Sequence, residues 1–129
     1  MSGTKYLLDT NFILGLLKSD AQVLAEFSSR RILAGECAYS SITRMELLGF
    51  HRITREEEAL INQKLAHFSC LPLSLDIENK VIALRQSRKI KLPDAMIAAT
   101  ALNFDIELLT LDQHLLEIVR SENRGKQLP

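Results

Sequence analysis

The sequence predicts an α/β fold in three layers, with a short, mostly parallel sheet flanked by helices on both faces. Three observations predict it. Four apolar runs, "KYLLD" (5–9), "ECAYSS" (36–41), "SCLPLS" (69–74) and "IELLT" (106–110), have the length of buried strands. The stretches between them carry apolar residues at helical spacing. No Asn-Gly, Asp-Gly or Gly-Gly pair joins two of the runs, so successive strands lack a tight hairpin and must cross over through helices. In a parallel sheet the strands open their carboxyl ends on one edge. Whatever follows one strand therefore lies near whatever follows another.

After the first run, Phe12, Ile13, Leu16 and Leu17 set a helix. Asp20 caps a second, whose inward residues are predicted to be Val23, Leu24, Phe27, Ile32 and Leu33 before Gly35 ends it. Ser40 or Ser41 caps "ITRMELLGF", with Ile42, Met45, Leu47 and Leu48 as an apolar stripe and Glu46 inside it. Thr54, with Glu57 three residues on, forms a capping box for a helix running to about His67. Pro72 marks the third run as an edge strand, because proline has no N–H to give a neighbour. Asp76 opens a helix bearing Ile77, Val81, Ile82 and Leu84; Pro93 starts "PDAMIAATALNF"; "LDQHLLEIVR" is the last. The terminal "SENRGKQLP" is polar and predicted to fray, with a closing strand near Gln127 and Leu128 as the option.

The length of 129 residues suits one domain spanning 1–129, and no repeat or Gly/Ser linker divides it. Sixteen basic residues balance sixteen acidic ones, which speaks against a chain that binds nucleic acid by bulk charge but leaves room for a local basic patch. Cys37 and Cys70 stand singly in apolar surroundings at no metal-binding spacing, so both read as small core residues of a reducing compartment. Asp9 breaks the first apolar stretch too early for a signal peptide, and no run is long enough to span a bilayer. A soluble cytoplasmic protein is expected.

Four acids fall where the sheet's open edge should be. Asp9 ends the first strand, Asp112 lies two residues past the fourth, Asp94 occupies the first turn behind Pro93, and Glu46 lies on the helix after the second strand. Each has an ordinary structural reading. Asp94 suits a helix N-terminus, Asp9 a turn and Asp112 a cap. Glu46 is harder to dismiss, since an unpaired carboxylate among Met45, Leu47 and Leu48 is costly to bury. Together the ordinary readings lose ground. Two carboxylates about 4 Å apart repel by roughly 4 kcal/mol at an effective dielectric of about 20, so several converging need protons or a cation. A hard divalent ion, Mg²⁺ or Mn²⁺, meets that need with oxygen ligands alone, and the lack of histidine or cysteine in the group argues against zinc. Such a site suits polarising a phosphate and activating water.

The stretches "LLDTNFIL", "SSITRMELLG", "KLPDAMIAATAL" and "LLTLDQHL" stand in the order and approximate spacing of PIN-domain ribonucleases. The chain resembles in particular the VapC toxins of toxin–antitoxin pairs, from residue 6 to about 116. The resemblance implies a PIN-like fold and assigns metal-binding and catalytic roles to Asp9, Glu46 and Asp94, with Asp112 at a fourth acidic position that is Asn in some members. It makes Thr10 and Thr110 hydroxyls that support the acids. It further implies Mg²⁺- or Mn²⁺-dependent endoribonuclease activity leaving 5′-phosphate and 3′-hydroxyl ends, a homodimer, and a small cognate antitoxin whose tail lies in the active-site groove. One departure stands out: where relatives often carry an acid and an aromatic after the fourth acid, this chain has His114 and Leu115. His114 is expected to be a helix-surface residue rather than a general base.

Arg85, Arg88, Lys89 and Lys91 crowd just ahead of Asp94 and are the candidate RNA contacts, against the alternative of a solvated helix end. No aromatic platform for base stacking stands out, with two tyrosines and no tryptophan. Two other classes compete with the nuclease. A phosphoacceptor receiver domain would need an acceptor Asp after the third strand, where this chain has Pro72 to Ser74. A non-catalytic PIN scaffold would be expected to lack one or more acids, and here all four positions are filled.

Overall fold

The computed structural model describes residues 3–126. Four strands, β1 (Tyr6–Leu8), β2 (Cys37–Ser40), β3 (Ser69–Leu71) and β4 (Glu107–Leu109), form one sheet in the order β3-β2-β1-β4. Every pairing in it is parallel. Seven helices connect and cover it: α1 (Thr10–Leu17), α2 (Ala21–Ser29), α3 (Ser41–Leu48), α4 (Arg55–Leu65), α5 (Leu75–Ser87), α6 (Leu92–Phe104) and α7 (Gln113–Lys126). A short 3-10 turn, Ala34–Glu36, leads into β2.

The strand period of two divides the core into two layers. Leu7, Ala38 and Leu108 point to one face and pack with Ile77, Leu84, Ala98 and Leu102 of α5 and α6 and Leu115 and Val119 of α7. Leu8, Cys37, Tyr39 and Leu109 point to the other and meet Phe12, Ile13, Val23, Leu47 and Ile61 of α1 to α4. β1, β2 and the end of β4 are thus buried on both faces, which is why they read as continuous apolar runs rather than alternating ones, whereas edge strand β3 is largely exposed.

The chain leaves β1 toward β2 and β3, then returns to place β4 on the opposite side of β1. That reversal is a topological switch point, and it opens a crevice outside the carboxyl ends of β1 and β4. Asp9 follows β1 directly, and Thr110 follows β4. The third run lies at the sheet's edge as Pro72 predicted.

Several local expectations need correction. Leu24, Leu33, Met45 and Ile82 are exposed, because α2, α3 and α5 bury narrower stripes than the pattern implied. On α2 only Val23 is fully buried, and the helix stops at Ser29 with Arg31 in the left-handed region (φ 53°), which turns Leu33 out. Ser74, not Asp76, begins α5: its hydroxyl accepts from the Ile77 N–H at 3.2 Å. Cys70 is exposed on edge strand β3, whereas Cys37 is buried. The polar tail does not fray through residue 126; α7 runs to Lys126, with Arg124 paired to Glu117 at 2.7 Å. The optional strand near Gln127 and Leu128 lies outside the described residues. Among the described residues no helix is long and apolar enough to cross a membrane.

Candidate active site

Asp9 is 5% exposed and is the N-cap of α1. Its Oδ1 accepts from the Phe12 N–H at 2.8 Å, and its Oδ2 accepts from the Thr110 hydroxyl. The same Thr110 oxygen accepts from the Asp112 N–H at 3.0 Å, so one buried hydroxyl ties the ends of β1 and β4 together. Burial pushes the Asp9 carboxyl above its ordinary range; the bonds from Thr110 and Phe12 oppose that, and Asp112 and Asp94 add repulsion.

Glu46 departs from the sequence expectation. It is exposed, because α3 buries Thr43 and Leu47 and leaves Glu46 beside the exposed Met45. It is nevertheless held: the Thr10 hydroxyl lies 2.6 Å from Glu46 Oε1 and 3.0 Å from the Thr43 hydroxyl. A hydroxyl has one proton, and the carboxylate is the stronger acceptor, so Thr10 donates to Glu46 and Thr43 to Thr10. Thr43 is fully buried, a role that the pattern of apolar residues does not disclose. Its place three residues before Glu46, on the same helix face, was the available signal.

Asp94 lies in the first turn of α6, and Asp112 caps α7 by accepting from the Leu115 N–H at 3.1 Å. Asp94 is the shared wall of two adjoining pockets. One, of about 150 Å³, is lined by Asp9, Thr10, Asn11, Glu46, Asp94 and Ile97. The other, of about 190 Å³, is lined by Lys89, Lys91, Asp94, Asp112 and His114 with three apolar residues. Burial, then repulsion from Asp112 and Glu46, holds the Asp94 carboxyl above its ordinary range, while Lys91 and His114 act the other way. The four acids thus share one crevice, although among the described residues no three His, Cys, Asp or Glu side chains are drawn into a ready-made metal-ligand cluster.

The PIN domain family model matches residues 6–120. The chain belongs to the PIN domain family. Its solved relatives bear this out. A toxin–antitoxin complex from Klebsiella pneumoniae contains a chain 31% identical, with a TM-score of 0.72 over 84% of this chain and 88% of that one. VapBC-1 from nontypeable Haemophilus influenzae aligns at 24% identity and TM-score 0.72 over 92% and 94% of the two chains. DNA-bound VapBC from Salmonella typhimurium aligns at 20% identity and TM-score 0.74 over 88% and 91%; these last two likenesses concern the fold. No curated protein matches the sequence.

In this PIN domain the four basic candidates separate. Lys89 and Lys91 line the pocket that holds Asp94 and Asp112. Arg85 does not: its Nε donates to the Ile90 carbonyl at 3.3 Å. Arg88 is half-buried and donates to Glu122 on α7 at 2.6 Å. The sequence showed a run of cations, but not that two of them bind protein groups. His114 is on the helix surface as expected, and it also lines the same pocket as Asp94 and Asp112.

Proposed function

We propose that this PIN protein is a metal-dependent endoribonuclease, the toxin of a toxin–antitoxin pair, that hydrolyses RNA to leave 5′-phosphate and 3′-hydroxyl ends. The observation that carries the reading is the meeting of Asp9, Glu46, Asp94 and Asp112 along one crevice at the switch point of a PIN fold. The donors there are carboxylate and hydroxyl oxygens, and Asp9 and Asp94 are each pushed upward, by burial first and then by neighbouring acids. That combination fits a hard divalent cation, whose charge would offset the repulsion. Asp9, Glu46, Asp94 and Asp112 would hold Mg²⁺ or Mn²⁺, which supplies activation of water and charge stabilisation on the phosphate.

The chain's own residues supply the positioning. Thr110 and the Phe12 N–H fix both oxygens of Asp9, each retaining a further lone pair. The chain from Thr43 through Thr10 holds Glu46 in the same pocket. Lys89 and Lys91 present cations to a phosphodiester backbone entering beside Asp94. We also infer a small cognate antitoxin, a homodimer and a cytoplasmic location. The toxin–antitoxin assignment rests on the relatives, in particular the 31% identical chain of the Klebsiella complex.

The test is cleavage of total RNA by antitoxin-free protein and by Asp94→Asn, each with Mg²⁺, Mn²⁺ or EDTA, with product ends mapped. Metal-dependent cuts leaving 5′-phosphates, lost in the variant, are expected. Equal cutting by both proteins would remove Asp94 from the chemistry. Lack of cutting by folded wild type would favour the second reading, a non-catalytic PIN scaffold. The absence of a ready-made three-acid cluster among the described residues is the observation on that side.

A further inference from the structure

The nuclease reading leaves Arg88 unexplained. It stands at the end of α5, at the head of the short segment 88–91 that delivers Lys89 and Lys91 to the pocket wall. The same pocket is also lined by α7 and its cap, through Asp112, His114, Leu115 and Ile118. Glu122 lies one turn beyond Ile118 on the same helix, and Arg88 Nη2 donates to its Oε2 at 2.6 Å. The two side chains are only 29% and 35% exposed. Arg88 Nε is buried and has no hydrogen-bond partner among the described residues, so the guanidinium depends on Glu122 for compensation. A second brace holds the same segment from α5, where Arg85 Nε donates to the Ile90 carbonyl.

We propose that Arg88 is a positioning residue that acts through Glu122: the pair clamps the 88–91 segment to α7 and so sets where Lys89 and Lys91 stand relative to Asp94 and Asp112. The proposal rests on the RNA-nuclease reading and adds to it an ion pair 34 positions apart in sequence whose target is the geometry of the cationic wall. It also reassigns Arg88. Its charge is engaged with protein, so among the four basic candidates phosphate contact falls to the two that line the pocket, Lys89 and Lys91.

The two roles for Arg88 predict opposite signs for one substitution. Glu122→Gln removes a negative charge near a polyanion, so if Arg88 touched phosphate directly, freeing it would leave RNA binding unchanged or tighter. If Arg88 acts as a clamp, Glu122→Gln weakens binding by about threefold to tenfold and lowers the salt slope, because the two lysines lose register with the backbone phosphates. Binding of a labelled single-stranded oligoribonucleotide is measured across a salt series in a common Asp94→Asn background, which suppresses turnover. Arg88→Gln should show the same loss, and the double variant no more than either single one, since both remove one interaction. Unchanged or tighter binding by Glu122→Gln, or additive losses in the double variant, would overturn the proposal.

Amide hydrogen exchange without RNA gives an independent arm. In Glu122→Gln, exchange over 88–91 should rise while core amides of α6 such as Ala98 and Ala101 hold their protection. Unchanged exchange over 88–91, or a uniform rise along the chain, would overturn the clamp whether or not the protein binds RNA. Failure of the parent protein to bind RNA would instead overturn the nuclease reading, with the exchange arm still deciding the clamp.

Discussion

Thr110→Val offers the sharpest test of how the site is built. Valine keeps the shape of a residue that is 8% exposed and removes one hydroxyl that donates to Asp9 Oδ2 and accepts from the Asp112 N–H. The Asp112 amide lies beside an exposed side chain, so water can replace its lost acceptor at little cost. Asp9 cannot be compensated in that way. A hydrogen bond to a buried charged group contributes about 1.5–3 kcal/mol, against about 0.5–1.5 kcal/mol for a neutral one. The loss therefore depends on whether Asp9 is ionised. Its folded-state pKa is raised, with burial as the largest cause, so its contribution favours folding below the unfolded carboxylate pKa and is lost as pH rises through the folded value. Removing Thr110 raises the folded value further, because the hydroxyl opposed the shift. The stability difference between wild type and Thr110→Val should thus widen as pH rises through the folded pKa of Asp9, from about 0.5–1.5 kcal/mol for the neutral bond toward about 1.5–3 kcal/mol for the charged one. Urea denaturation in EDTA across a pH series measures it, with Thr110→Ser as the variant that retains the hydroxyl. A difference that does not change with pH, or a Ser variant as weak as Val, would refute the reasoning.

Asp9→Asn and Asp94→Asn should each abolish RNA cleavage with the fold retained by circular dichroism, whereas Asp112→Asn, being exposed and partly occupied as a helix cap, should lose less. Because the Asp94 pKa is raised, its carboxyl favours folding at low pH and ceases to as pH rises; metal-free Asp94→Asn should be at least as stable as wild type at neutral pH, read by thermal melts. Mg²⁺ or Mn²⁺ should raise the melting temperature of wild type and do so much less for Asp94→Asn, since Asp94 borders both pockets. Charge reversal of Lys89 and Lys91 together should weaken RNA binding and cut the salt slope by about 0.7 for each lost single-strand phosphate contact. Alkylation under native conditions should label Cys70 readily and leave Cys37 unmodified, because Cys70 is exposed and burial pushes the Cys37 thiol up to about 12.

What the sequence disclosed follows the range of the forces involved. Strands and helix starts are local. Asp20, Thr54 with Glu57, and the break after Leu8 are each set within four residues, and each stands where the pattern put it. Parallel crossover without hairpins then forces the carboxyl ends to one edge, so the grouping of the acids is legible in the order of the elements. Exposure is not local. Met45 and Ile82 follow helical spacing yet face solvent, because burial depends on how wide a stripe the sheet and neighbouring helices can cover. The apolar neighbours of Glu46 imply a cost of burial that does not exist; it is exposed and joins the site through Thr10, 36 residues away. Arg88 fails for the same reason. Its neighbours in sequence are cations, but its partner is on α7.

The ordinary and chemical readings of the acids turn out not to exclude one another. Asp9 and Asp112 are both helix caps, accepting from the Phe12 and Leu115 N–H groups, and both line the crevice. Capping uses one oxygen of each, and the other oxygen of Asp9 takes the Thr110 hydroxyl. Asp94, in the first turn of α6, shares the benefit of a helix N-terminus without being a cap. Three helices therefore direct the positive ends of their dipoles at the place where like charges must be gathered. That arrangement favours the ionised carboxylates against their mutual repulsion, and it follows from the parallel sheet itself, in which every crossover begins at the same edge. An aspartate at the end of β1 or β4 is thus held by the fold as a cap for a local reason and presented by it for a chemical one. Counting it as a cap is no argument against its being a ligand.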